Sequence, residues 1–150
     1  MPSITFKAEA GTQETLSTRP FDAPRERLFK ALTDPDLIPK WWTDTTVEKL
    51  EARPGGVWRY VSKNAQGFET GFHGVYHEVE SPERLVYTFE AEGMPGHVQL
   101  VTVTLEERGG KTMLTQHSVF QSTEDREALM QYGMEKGAGM DRLEAVVAAM

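Results

Sequence analysis

From residue 45 to residue 120 the chain alternates apolar and polar positions with period two, and clusters of turn-forming residues interrupt the alternation. The pattern predicts strands over Val47–Glu51, Val57–Ser62, Phe68–Val79, Arg84–Glu90, His97–Glu107 and Thr112–Phe120, with an earlier strand over Thr12–Phe21. Arg53-Pro54-Gly55-Gly56, Asn64-Ala65-Gln66-Gly67, Ser81-Pro82-Glu83 and Arg108-Gly109-Gly110-Lys111 supply the turns, and Glu92-Gly93-Met94-Pro95-Gly96 a longer connection. Connections this short join antiparallel neighbours, so the strands form a meander. Met1 to Gly11 reads as a loose leader or a strand extension of one domain spanning residues 1–150.

The periodicity changes at two places. After the first strand, Asp22 stands as an N-cap and Pro24 opens an amphipathic helix through Leu28, Phe29, Ala31 and Leu32. Asp34-Pro35 stops it, because the residue before a proline is pushed out of the α region. A second short helix follows over Asp36–Trp42. The last helix begins at a Ser122 or Thr123 cap and runs to Met150. Leu129, Gly133, Lys136, Met140, Leu143, Val147 and Met150 recur along it at spacings of three and four, which makes one stripe. Gly133, Gly137 and Gly139 fall within about two turns, and each glycine inside a helix costs about 1 kcal/mol relative to alanine. Such a helix touches the sheet backbone, leaves space beside it, or bends. A curved antiparallel sheet closed by one long helix, with two short helices after the first strand, is an α+β fold with a natural hollow between sheet and helix.

Four segments in register carry a family resemblance. They are Phe21-Asp22-Ala23-Pro24 with Leu28 to Pro35 and Trp41-Trp42; Arg53-Pro54-Gly55-Gly56-Val57-Trp58-Arg59; Gly74 to Val79 with Pro82 to Thr88; and Gly133 to Gly137 with Asp141-Arg142-Leu143. Together they resemble the activator of HSP-90 ATPase homologue-like family of the START-like (SRPBCC) superfamily, over nearly the whole chain from Thr12 on. The resemblance implies the helix-grip fold, a cavity for hydrophobic or amphipathic small molecules, and a link to chaperones and stress response. The eponymous activators stimulate a chaperone ATPase, usually with the help of a further N-terminal domain, for which these 150 residues leave no room.

Composition narrows the functional classes. Hydrophobic residues make up 39% of the chain and charged residues 26%, ordinary for a globular protein, and no apolar run approaches the length needed to span a bilayer. The net charge of −7 argues against nucleic acid or an anionic membrane as partner. With no cysteine there is neither a disulfide nor a thiolate site, which fits a cytoplasmic location. No phosphate-binding, nucleophile-elbow or zinc-spacing motif occurs, so neither cofactor nor metal is expected. His73 and His77 would share a metal on a helix, but on a strand they stand about 13 Å apart, too far for one zinc with bonds of about 2.1 Å. His97 and His117 are lone histidines that could serve as acid or base.

Trp41 and Trp42 point about 100° apart on a helix, one toward the core and one toward the cavity rim. Trp58 and Tyr60 share a strand face. The expected ligand wall is Trp42, Trp58, Tyr60, Phe72, Tyr87, Met134 and Met140, with methionines flanking the glycine-rich turns as adaptable lining. The reading is binding of an apolar or aromatic small molecule without covalent chemistry. Two alternatives stay open. A polyketide cyclase or aromatase-like enzyme needs His97, Tyr87 or Glu78 to point inward. A chaperone-linked interaction module would use the acidic surface. An exposed edge strand would also allow a homodimer.

Overall fold

The computed structural model of the protein describes residues 5–7, 11–130 and 138–150. Among them eight strands form one antiparallel sheet: β1 (Thr5–Lys7), β2 (Glu14–Phe21), β3 (Thr45–Leu50), β4 (Val57–Lys63), β5 (Glu69–Glu80), β6 (Arg84–Ala91), β7 (Val98–Arg108) and β8 (Lys111–Val119). The order is β1-β2-β8-β7-β6-β5-β4-β3, a meander from β3 to β8 that β2 closes by pairing with β8. Helices α1 (Arg25–Thr33) and α2 (Ile38–Trp41) connect β2 to β3, and α3 (Thr123–Met130) and α4 (Ala138–Ala148) follow β8.

Two expectations need adjustment. Asp22 does not cap α1; Pro24 itself occupies the N-cap with extended backbone and no side-chain bond. The first free N–H of the helix, that of Arg25, is taken instead by the Glu107 carboxylate of β7 at 2.8 Å. Ser122, by contrast, does cap α3, its Oγ accepting the Asp125 N–H at 3.1 Å. The single helix expected from residue 122 to Met150 is represented by two described helices, α3 and α4. Gly133, Lys136 and Gly137 lie outside the described residues.

One face of the sheet meets the helices. Trp58 and Tyr60 on β4, Tyr76 on β5, Leu85 on β6, Val101, Val103 and Leu105 on β7, and Leu114 on β8 are buried there. Leu28, Phe29 and Ala31 of α1, Ile38 of α2, and Leu143 and Val147 of α4 complete that core. Leu143 and Val147 stand four apart, one turn of helix, as the sequence stripe requires. A buried cation ties α4 to the sheet. Arg19, on β2, is 4% exposed and places a guanidinium nitrogen 2.8 Å from Asp141 and 2.7 Å from Glu144. Its guanidinium also lies 5.3 Å from the Phe21 ring centre.

Neighbouring strands approach closely at Gly74. A Cβ there would stand 1.8 Å from the Thr88 carbonyl oxygen and 2.7 Å from the Trp58 indole nitrogen. The β5–β6 ladder is interrupted at this point, and the Thr88 hydroxyl takes the Val75 N–H at 2.9 Å.

On the outer face, Glu92 joins neighbouring strands. It accepts from Arg59 at 2.8 Å through both carboxylate oxygens and lies 2.9 Å from His73 Nδ1, while Arg59 also pairs with Glu48 of β3. Hydrogen bonds from Arg59, then from His73, hold its carboxyl down at about 2.

Two outcomes follow from this packing. Gly74→Ala should destabilise the protein by about 2 kcal/mol or more in urea denaturation, because the obstructing atom is backbone and cannot rotate away. Gly93→Ala, where a Cβ meets nothing within 4 Å, should stay within about 0.5 kcal/mol of the parent. A carboxyl whose folded pKa is depressed stabilises the native state above its unfolded value and loses that contribution as pH falls through the folded one. The Glu92 contribution should therefore be full above 4.5 and fade toward 2, so Glu92→Gln should flatten the melting-temperature profile across that window.

Candidate functional site

The inner face is chemically divided. On β4, β5 and β6 it is aromatic. Trp58 and Tyr60 lie side by side with ring centres 4.7 Å apart, as alternation on one strand face dictates. Phe72 stands opposite Tyr60 in register, and Phe89 is 5.4 Å from Phe72 and 5.7 Å from Trp58. Trp42 closes the group from the end of α2: it is 5.3 Å from Tyr60 edge-on, 5.6 Å from Phe72, and stacked on Phe89 at 6.4 Å. Tyr87 meets Trp58 edge-on at 6.1 Å and Tyr76 at 5.8 Å.

The two adjacent tryptophans diverge, and the reason is local. Trp41 donates its indole N–H to the Ala31 carbonyl at 2.8 Å, which pins α2 to α1. Arg142 of α4 donates to the Trp41 carbonyl at 3.0 Å. With its neighbour anchored backwards, Trp42 is left to turn toward the sheet.

Five of the seven expected wall residues, Trp42, Trp58, Tyr60, Phe72 and Tyr87, therefore sit in one connected set of rings. Met140, in the first turn of α4, is half-buried against the core. Met134 lies outside the described residues. Phe89 and Tyr76 were missed, although period-two alternation from Tyr87 and Phe72 carries directly to them.

The polar edges of this cluster favour hydrogen bonding over proton transfer. Burial pushes the Tyr60, Tyr87 and Tyr76 phenols above their ordinary value, Tyr76 to about 12, where a bond with Tyr60 offsets part of the rise. At neutral pH these groups are neutral donors and acceptors. The Trp58 indole N–H is buried and has no hydrogen-bond partner among the described residues. An unpaired buried donor costs about 1–3 kcal/mol.

The candidates for acid–base chemistry mostly point elsewhere. Glu78 pairs with Arg84 at the surface. His97, at the end of the β6–β7 loop, is half exposed and lies 2.7 Å from Asp125 of α3. His117 pairs with Glu14 on the outer face. His73 joins Glu92, and His77 is exposed. Of the three residues on which an acid–base reading depended, only Tyr87 is on the inner face, and its phenol stays protonated.

At the start of β7 and β2 and the end of β8 the inner face becomes polar, with Gln99, Ser118 and Thr15 buried beside Val101. A separate surface recess of about 320 Å³ lies between α2 and α4, bordered by Leu37, Lys40, Arg142, Val146 and Met150. It opens on the side of α4 away from the sheet-facing Leu143 and Val147.

Solved structures share this architecture across almost the entire chain. A Rhodobacter sphaeroides protein is 26% identical and superimposes with a TM-score of 0.85, covering 99% of both chains. A Mycobacterium smegmatis protein is 22% identical at a TM-score of 0.86, again covering 99% of both chains. An Arthrobacter aurescens protein is 23% identical at 0.87, covering 97% of this chain and 92% of its own. No curated protein matches the chain. The family model described as Activator of Hsp90 ATPase homolog 1-like protein matches residues 22–148. With the curved sheet, the paired short helices and the aromatic interior in place, the chain belongs to the activator of Hsp90 ATPase homolog 1-like family.

Proposed function

We propose that this protein binds an apolar or aromatic small molecule between the inner face of the sheet and the helical segment that follows β8, without covalent chemistry. The observation that carries the reading is the aromatic group around Trp42 and Trp58, with a buried indole N–H that no described residue satisfies. Pockets for small molecules combine aromatic walls with a few fixed polar groups, and this interior has that composition. The alternative of enzymatic proton transfer has little to recommend it: His73, His97, His117 and Glu78 are engaged in ion pairs away from the aromatic cluster, His77 is exposed, and the three phenols remain protonated. The half-exposed position of Trp42 beside Phe72 and Phe89 supports its role at the rim, where a ligand would slide under the indole.

The test is a fluorescence titration with the neutral dye N-phenyl-1-naphthylamine, followed by displacement with a panel of apolar ligands. The folded parent should bind the dye with quenching of tryptophan emission. Trp42→Ala should weaken binding about tenfold, the loss expected when a large aromatic contact is removed. Failure of the folded parent to bind any member of the panel would rule the reading out. The family description also raises chaperone stimulation. An Hsp90 ATPase assay with this chain added should give no rate increase under the small-molecule reading, and a robust increase would favour the interaction module instead.

A further inference from the structure

One end of the inner face of β2, β7 and β8 carries polar side chains. Thr15 and Ser17 on β2, Gln116 and Ser118 on β8, and Gln99 on β7 face inward on neighbouring strands. Thr15 stands opposite Ser118, and Ser17 opposite Gln116. None of the five makes a side-chain hydrogen bond to a described residue, and the Ser118 hydroxyl, at 0% exposure, is fully buried and unpartnered. Thr112, on the same face of β8, shows the contrast: its hydroxyl donates to the Ala23 carbonyl at 2.7 Å. Buried polar groups are normally paired, so the unpartnered Ser118 hydroxyl, set among these polar neighbours, calls for an acceptor or donor from outside the chain.

The polar strip also abuts the aromatic wall. Gln99 is directly opposite Phe89, and Val101, the neighbour of Ser118, is directly opposite Tyr87. A molecule lying on Trp42, Phe89 and Trp58 would therefore reach Gln99 and Ser118 with its far end.

Charge decides what that end can be. Arg19, the cation nearest this strip on β2, is already held by Asp141 and Glu144. Arg126 of α3 is held by Glu127 and Thr12. Among the described residues, apart from the buried Arg19 Nε, whose guanidinium already faces two carboxylates, the groups left over on this strip are hydroxyls and carboxamides, which donate and accept but carry no charge. An anionic head buried among them would lose its hydration without a counter-ion, a cost that uncharged hydroxyl or carbonyl oxygens avoid.

We infer that the ligand is an aromatic or apolar body bearing an uncharged oxygen head group, with the head bound by Ser118 and Gln99 and the body by the Trp42–Trp58–Phe89 wall. The inference rests on the small-molecule reading above and adds the head-group chemistry and the residues that select it.

Three matched probes separate the two claims: naphthalene supplies the body alone, 2-naphthol adds a neutral hydroxyl, and 2-naphthoate adds a charge. At pH 7 the parent should bind 2-naphthol about tenfold more tightly than naphthalene, although naphthol partitions less readily out of water, and 2-naphthoate most weakly. Ser118→Ala, which removes only a hydroxyl, should bring the naphthol-to-naphthalene ratio toward one, and Gln99→Leu should do the same independently. Trp42→Ala should weaken all three probes and keep the ratio. Equal affinity of the parent for naphthol and naphthalene, or tightest binding of naphthoate, would overturn the head-group assignment while leaving an apolar pocket standing. Absence of binding by any of the three would remove the pocket and the assignment together.

Discussion

A carbonyl oxygen occupies the space where residue 74 would carry a side chain, and the interior is organised around that approach. The Thr88 backbone presses against Gly74 from β6, the Trp58 indole lies over it from β4, and the Thr88 hydroxyl replaces a missing ladder bond. Only glycine permits strands to close up in this way. Around this close approach, rings from β4, β5 and β6 meet Trp42 arriving from α2. A flatter sheet would hold the same residues in a row rather than around a common centre.

The second organising contact is ionic. Arg19 is drawn beneath α4 by Asp141 and Glu144, and its guanidinium also rests over Phe21. Burying a cation on a sheet face is costly without counter-charges, and here one helix supplies two carboxylates to one guanidinium nitrogen, while the buried Nε has no partner among the described residues. The compensation fixes how α4 lies across the sheet, with Leu143 and Val147 directed inward. It also neutralises the charge nearest to the polar strip of β2 and β8.

Much of this was legible in the chain. Alternation placed Trp58 and Tyr60 together, turn residues divided the strands within a residue or two, and the three-and-four spacing marked Leu143 and Val147 as the inner side of the last helix. The polar half of the interior was not legible, and β8 shows why. Its exposed Met113 and Val119 sit on the outer face while Gln116 and Ser118 sit inside, so hydropathy points to the wrong side of the strand. Arg19 was equally opaque, because its carboxylate partners lie more than a hundred positions away and no local pattern announces them. Asp22 misled for a different reason: it has the chemistry of a cap, but Pro24 holds the cap position and Glu107, distant in sequence, accepts the first helical N–H.

The closing pair of strands has a consequence for how such an interior is made. From β3 to β8 each strand finds its neighbour across the next connection, whereas β2 pairs from Glu14↔Val119 to Phe21↔Thr112, with a partner that emerges long after it. During synthesis the meander can therefore zip up as it leaves the ribosome, while the opening strand waits. The contact of α4 with Arg19 of β2 likewise needs the last residues of the fold. The aromatic wall is thus built as an open dish, with its furniture in place, before the two ends of the chain are drawn together over it.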